Sequence, residues 1–169
     1  SRVKYCRLIC RKIKGKDRFY IQLVLEGKPY QKYTKGEEET GLDVGPSTIA
    51  VVSDSSAELK QFCAELTFLD KEKRKTQRKM ERQRRQNNPE NYHENGSIKK
   101  GKKTWHHSNR YLKTKTIHQE YERKLKEKRK TLHGYEANRI LKRSKSVKTE
   151  KLSYKAFQKL FGKSVGRRA

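Results

Sequence analysis

The sequence predicts an α+β fold in which a long helical hairpin interrupts a small β-structure. Short runs rich in β-branched and aromatic residues occupy residues 3–63. Two stretches dense in Lys, Arg, Glu and Gln follow, over 68–86 and 108–142, and a last short run with strand character returns at 146–152.

Val3 to Ile13 reads as a first strand and Phe19 to Leu25 as a second. Lys14-Gly15-Lys16-Asp17 turns between them, and Glu26-Gly27-Lys28-Pro29 ends the pair. This hairpin is expected to carry its charged residues on an exposed face. Lys35 to Thr40 reads as a polar connector. Strands are then expected over Leu42–Val44, Thr48–Ser53 and Glu58–Cys63, with Asp54-Ser55-Ser56 turning between the last two.

From Phe68 the composition favours helix up to Gln86, and Asn87-Asn88-Pro89-Glu90-Asn91 stops it. Residues 92–107 read as a loop. Ser108 is a suitable N-cap for a second helix reaching Lys142, roughly 50 Å long at about 1.5 Å per residue. Ile117, Tyr121, Leu125 and Leu132 share one face of it, continued by Ala137, Ile140 and Leu141. That stripe is expected to face the first helix, where Phe68, Leu69 and Met80 are the apolar partners. Ser146 to Leu152 reads as a strand, and Ser153 to Phe161 as a short amphipathic helix ended by Gly162.

Charge narrows the function classes. The chain has 169 residues, 45 Lys and Arg against 19 Asp and Glu, and a net charge of +26. Residues 1–57 carry 11 basic and 7 acidic side chains, whereas residues 58–169 carry 34 and 12. Such an excess opposes compaction unless a polyanion neutralises it, which points to nucleic acid. A membrane is a poor alternative: no segment has the length and apolarity to span one, and no strongly amphipathic anchor sets large apolar residues opposite the lysines. Arg74, Arg78, Arg82, Arg84 and Arg85 lie on or next to one helix and could follow a phosphate backbone. Lys99, Lys100 and Arg110 extend that set. Trp105 and Tyr111 could stack on exposed bases or pack the hairpin loop.

Cys6, Cys10 and Cys63 make an odd count, which fits a reducing compartment. On a strand, Cys6 and Cys10 stand roughly 13 Å apart, too far for two ligands of one zinc. His106-His107 lacks cysteines at finger spacing and reads as a solvated loop element.

Thr40-Gly41-Leu42-Asp43-Val44-Gly45-Pro46-Ser47-Thr48-Ile49-Ala50-Val51-Val52 carries the sharpest signal. A carboxylate near the end of one apolar run, with glycine two positions on, suits a metal ion and the close approach of a phosphate backbone. It also suits a plain β-hairpin with an aspartate near its turn. Glu150 ends the late strand similarly, and a surface glutamate paired with Lys148 or Lys151 is its plainer reading.

Thr40–Val52 resembles the first acidic motif of a RuvC nuclease domain. Residues 87–105, Asn109-Arg110-Tyr111, Leu132-His133-Gly134, Thr149-Glu150-Lys151-Leu152-Ser153-Tyr154-Lys155 and Phe157 to Arg167 are similar to TnpB-type proteins of insertion sequences. Those proteins, long described as transposases, are RNA-guided DNA endonucleases related to type V CRISPR effectors. The resemblance covers residues 40–169, and Asn-Asn-Pro-Glu-Asn-Tyr and Glu-Lys-Leu-Ser-Tyr-Lys are its specific part.

The resemblance implies a partial RNase H-like (RuvC) sheet in two segments, 40–67 and 144–169, around an inserted basic hairpin, 68–143. Residues 1–39 would end a wedge-like β-domain that grips the guide RNA. It implies Asp43 and Glu150 as catalytic, Mg²⁺-binding carboxylates on neighbouring parallel strands, with guide RNA and target DNA as partners in a prokaryotic cytoplasm. The family's third acidic motif and its zinc ribbon lie outside this sequence. Asp54, in a turn, does not replace the missing acid. The chain is therefore expected to be a fragment, inactive by itself. A non-catalytic basic RNA- or DNA-binding module is the alternative.

Overall fold

The computed structural model describes residues 2–28 and 34–161. The expected helix stop at Gly162 and the remainder of the Phe157–Arg167 run lie outside them. The chain is α+β, and it divides into two units: residues 1–28 with 69–124, and residues 29–68 with 125–169.

In the first unit, β1 (Val3–Ile13) and β2 (Lys16–Leu25) pair antiparallel, Ile13 opposite Lys16. The two-residue turn has φ +51° at Lys14 and +77° at Gly15, the left-handed pair whose twist suits a tight hairpin. Charge does not own the exposed surface. Cys6, Leu8 and Cys10 stand opposite Leu23, Ile21 and Phe19, and all six side chains of this face are exposed. The expected charged face, with Arg7, Arg11 and Arg18, is the other one.

Two helices, α1 (Leu66–Asn87) and α2 (Asn109–Arg143), form the hairpin. Within the first unit they run antiparallel: Lys73 meets Glu122 at 3.5 Å, Thr76 bonds His118 at 3.0 Å, and Asn88 bonds His106. The Ser108 hydroxyl accepts the Tyr111 amide at 3.2 Å, the expected cap. Tyr111 and Thr114 are buried and His118 half-buried, whereas Ile117 is 52% exposed. The inward stripe is thus corrected at Ile117. Threonine and histidine fill the inward positions with their hydrogen bonds satisfied, so apolar spacing alone misplaced the face.

In the second unit, β3 (Glu38–Val44), β4 (Thr48–Ser53), β5 (Ala57–Gln61) and β6 (Ser144–Thr149) form a mixed sheet of order β5-β4-β3-β6. β3, β4 and β5 are antiparallel neighbours, and β6 lies parallel to β3. A short helix α3 (Tyr154–Phe161) follows. β3 begins earlier than expected, inside the supposed connector, because its glutamates find partners: Ser55 donates to Glu38 at 2.7 Å and Lys148 to Glu39 at 2.7 Å. β6 likewise starts at Ser144.

One face of this sheet packs on α2. The core there is Ile49, Phe62, Cys63, Leu66 and Ile140, with His133 stacked on Phe62 at 5.1 Å. Leu66 (2% exposed) fills the place expected of Phe68, which is 68% exposed. The Ser144 hydroxyl donates to the Ile140 carbonyl at 2.8 Å, so Thr40 must be the donor in the buried 2.6 Å bond between Thr40 and Ser144. This chain of bonds ties the start of β6 to β3.

An ion-pair network locks β5 to α2. Arg139 bonds Glu58 at 2.5 Å and Glu136 at 3.0 Å, and Lys60 bonds Glu136 at 2.7 Å. The bond from Arg139 holds the Glu58 carboxyl below the usual 4.5. Burial pushes Glu136 up, but the bonds from Lys60 and Arg139 outweigh it and leave the carboxyl lowered. Depressed carboxylates stabilise the fold above their unfolded values, and that stability is lost as pH falls through the lower folded values. Arg139→Met is expected to lose about 2 kcal/mol at pH 7 and to flatten the loss of stability below about pH 4.5. Urea midpoints measured at pH 7 and pH 3 test both.

Candidate carboxylate pair and basic hairpin

Asp43 is the penultimate residue of β3, paired with β4 and one step past the last pair of the β3–β6 ladder. It stands opposite Ala50 of β4, and Ala50 stands opposite Leu59 of β5. These positions share the face away from α2, since Leu42, Val51 and Glu58 line the other. That second face is open: Leu59 is 74% exposed and Asp43 is exposed.

Leu42 pairs with Thr149 in the parallel β3–β6 register. That is the last pair of the ladder; Asp43 and Glu150 each follow it by one residue, Glu150 beyond the end of β6 rather than on the expected strand. Asp43 belongs to the open face by strand alternation, and Glu150, past the end of β6, is exposed. Among the described residues neither has a hydrogen-bond or ion-pair partner. Lys148, the plainer partner for Glu150, is taken by Glu39, and that bond holds the Glu39 carboxyl below its ordinary value.

Exposed carboxylates such as these are oxygen donors of the type Mg²⁺ takes, one or two at a time with several waters retained. Among the described residues no group of three or more His, Cys, Asp and Glu side chains gathers around a common point. Gly45 serves the chain itself: its amide donates to the Thr48 carbonyl at 3.0 Å, and a Cβ there would lie 2.9 Å from the Thr48 hydroxyl oxygen. The β3–β4 turn therefore explains the glycine of the Asp-x-Gly pattern without a phosphate.

The basic residues of the hairpin divide sharply. Arg78, Arg82, Lys99, Lys100 and Arg110 are exposed, with no side-chain partner among the described residues. Arg74 is paired with Asp70 at 2.7 Å. Arg84 donates to the Tyr92 hydroxyl at 3.0 Å and to Glu81 at 2.7 Å, and its guanidinium lies 4.8 Å from the Trp105 ring centroid. Burial pulls the Arg84 pKa down, but those bonds outweigh it and leave it raised. Arg85 reaches the Gly96 carbonyl and lies over Tyr92.

Trp105 packs edge-on against Tyr92, and Tyr111 is buried and stacked on His107 at 4.4 Å. The base-stacking expectation for Tyr111 is corrected: its ring is committed to the hairpin. The sequence reading missed Asn88 and Asn91 as the organisers of this loop. Asn88, fully buried, donates to the Arg84 and His106 carbonyls and accepts the His106 amide, while Asn91 donates to the Thr104 carbonyl. The signal was present in the paired asparagines before Pro89, since Asn side chains readily bond local backbone. No helix among the described residues is long and apolar enough to cross a membrane.

Comparison of the sequence with protein-family models and with curated proteins gives no match.

Proposed function

We propose that the chain is part of a TnpB-type, RNA-guided DNA endonuclease in which Asp43 and Glu150 are the metal-holding carboxylates of a RuvC-type site. One observation supports the reading: β3 and β6, far apart in sequence, pair in parallel up to Leu42 opposite Thr149, the residues that immediately precede Asp43 and Glu150. The strand order, three antiparallel strands followed by one parallel to the first, is the arrangement the resemblance implies for an RNase H-like sheet.

Asp43, fixed on β3 by its pairing with β4, contributes a rigid oxygen ligand. Glu150, just past the end of β6, contributes one that can adjust. Like charges brought together repel, which favours a cation between them. A Mg²⁺ ion bound there supplies activation of a water and stabilisation of the leaving oxygen of a phosphodiester. The exposed cations of the hairpin bind phosphates without reading sequence. Guide RNA and target DNA are the corresponding partners, in the cytoplasm of a prokaryotic cell.

The test is Mg²⁺-dependent cleavage of guide-matched DNA by the complete nuclease containing this chain. Asp43→Ala and Glu150→Ala are each expected to abolish cutting while nucleic-acid affinity stays within about threefold. Added Mn²⁺ should broaden the amide resonances of Leu42, Val44 and Thr149 in the 169-residue chain. Cleavage retained by either variant removes that residue from the assignment. Unchanged cutting by both leaves the basic RNA- or DNA-binding module as the reading.

A further inference from the structure

Within the first unit, the tip of the β1–β2 hairpin is seated on α2. The Glu120 carboxylate lies close to the Lys14 backbone, which helps to lower its pKa. Gly15 faces Thr116: a Cβ there would make ordinary van der Waals contact with the Thr116 methyl at 3.7 Å. Arg123 donates to both Glu120 oxygens, at 2.7 and 3.0 Å. That bond, aided by the Lys14 backbone, holds the Glu120 carboxyl at about 2.

Two concavities flank this contact, with Lys14, Thr116 and Glu120 as their shared wall. The first, about 370 Å³, also carries Lys12 and Arg123. The second, about 290 Å³, is floored by Ile117 and Tyr121, with the Lys124 ammonium over one side of the Tyr121 ring, 6.0 Å from its centroid. Ile117 is the residue that an inward stripe failed to explain, and here it forms an exposed apolar floor beside an aromatic ring.

We infer that this double groove seats one unstacked nucleotide of a single-stranded nucleic acid, the base on Tyr121 and Ile117 and its phosphate against Lys12 and Lys14. The inference rests on the nucleic-acid-binding part of the function proposed above, and not on the nuclease site. Glu120 and Arg123 neutralise each other, so Lys12 and Lys14 supply the net positive charge of the first hollow. An aromatic ring next to fixed cations matches one base and one phosphate, because any base offers a π-face and stacking is sequence-tolerant. Each hollow is near the lower size of a small-ligand site. A duplex, with its bases stacked inside, cannot use the apolar floor.

The experiment measures anisotropy of labelled 20-nucleotide single-stranded RNA, the matching DNA strand, and the RNA duplex. Tyr121→Ala is expected to weaken single-strand binding about tenfold while Tyr121→Phe stays within about twofold and duplex binding is unchanged. Lys14→Gln should lower the salt slope by about one. The RNA and DNA arms show whether the sugar matters. In the wild-type chain, 4-thiouridine in the RNA should crosslink to the tryptic peptide 116–123, a readout independent of any variant's folding. Normal binding by Tyr121→Ala, or no crosslink on that peptide, overturns the groove assignment. Failure of the wild type to bind any of the three oligonucleotides overturns the nucleic-acid reading instead.

Discussion

Gly36→Val is expected to lose about 3 kcal/mol or more of stability, among the largest effects of any single substitution in the chain. A Cβ built on Gly36 falls on the backbone carbonyl of Arg143, with the Arg143 Cα at 2.5 Å. The obstruction is backbone, so no rotamer change relieves it. Arg143 ends α2 and Ser144 begins β6, so the displaced segment is the junction that delivers β6 to β3. The Gly36 amide also reaches the Leu141 carbonyl at 3.5 Å, one of the carbonyls a helix end leaves without an intrahelical partner. Urea unfolding of Gly36→Ala and Gly36→Val should show both far below wild type, with valine the worse. A wild-type midpoint in either would mean that the Gly36 segment does not hold this junction.

Asn88→Ala is expected to cost about 3 kcal/mol, concentrated in the hairpin loop. The asparagine side chain makes three bonds of 2.6 to 2.9 Å from a position with no solvent exposure. Alanine leaves the His106 amide and carbonyl without their partners, and an unsatisfied buried group is penalised more heavily than a missing bond. Asn88→Asp should be no better, since a carboxylate keeps the acceptor, loses both donors and buries charge. Hydrogen exchange supplies the local readout: the His106 amide should lose its protection in both variants while amides of β3 and β4 keep theirs. Uniform loss of protection across the chain would show that the loop and the sheet unfold as one.

The strands of residues 3–63 were legible because alternating apolar residues and turn-forming pairs mark them, down to the Lys14-Gly15 turn. The start of β3 was not, because Glu38 and Glu39 look like connector; their partners, Ser55 and Lys148, are distant in sequence. Asp43 could be singled out from its own pattern. The neighbourhood of Glu150 could not, because no periodicity reports which strand lies beside β6; the family resemblance alone raised it, and the parallel pairing of β3 with β6 reaches as far as Thr149, one residue before it. Ile117 shows the opposite failure. Its spacing to Tyr121 and Leu125 is genuine, but Thr114 and His118 occupy the inward positions that an apolar count overlooks. The groove at Lys14 and Tyr121 joins residues a hundred positions apart and left no local signature.

The bond between Thr40 and Ser144 closes a chain segment across 104 positions. The entropy of closing a flexible segment rises only logarithmically with length, so halving or doubling the insertion shifts closure by about 0.6 kcal/mol. The sheet is therefore nearly indifferent to how much chain is spooled out between its third and sixth strands. Rate is another matter: the β3–β6 ladder is the most sequence-distant strand pairing among the described residues, and such non-local pairing slows folding. That ladder is also what brings the segments ending in Asp43 and Glu150 toward each other, since its last pair, Leu42 and Thr149, immediately precedes them.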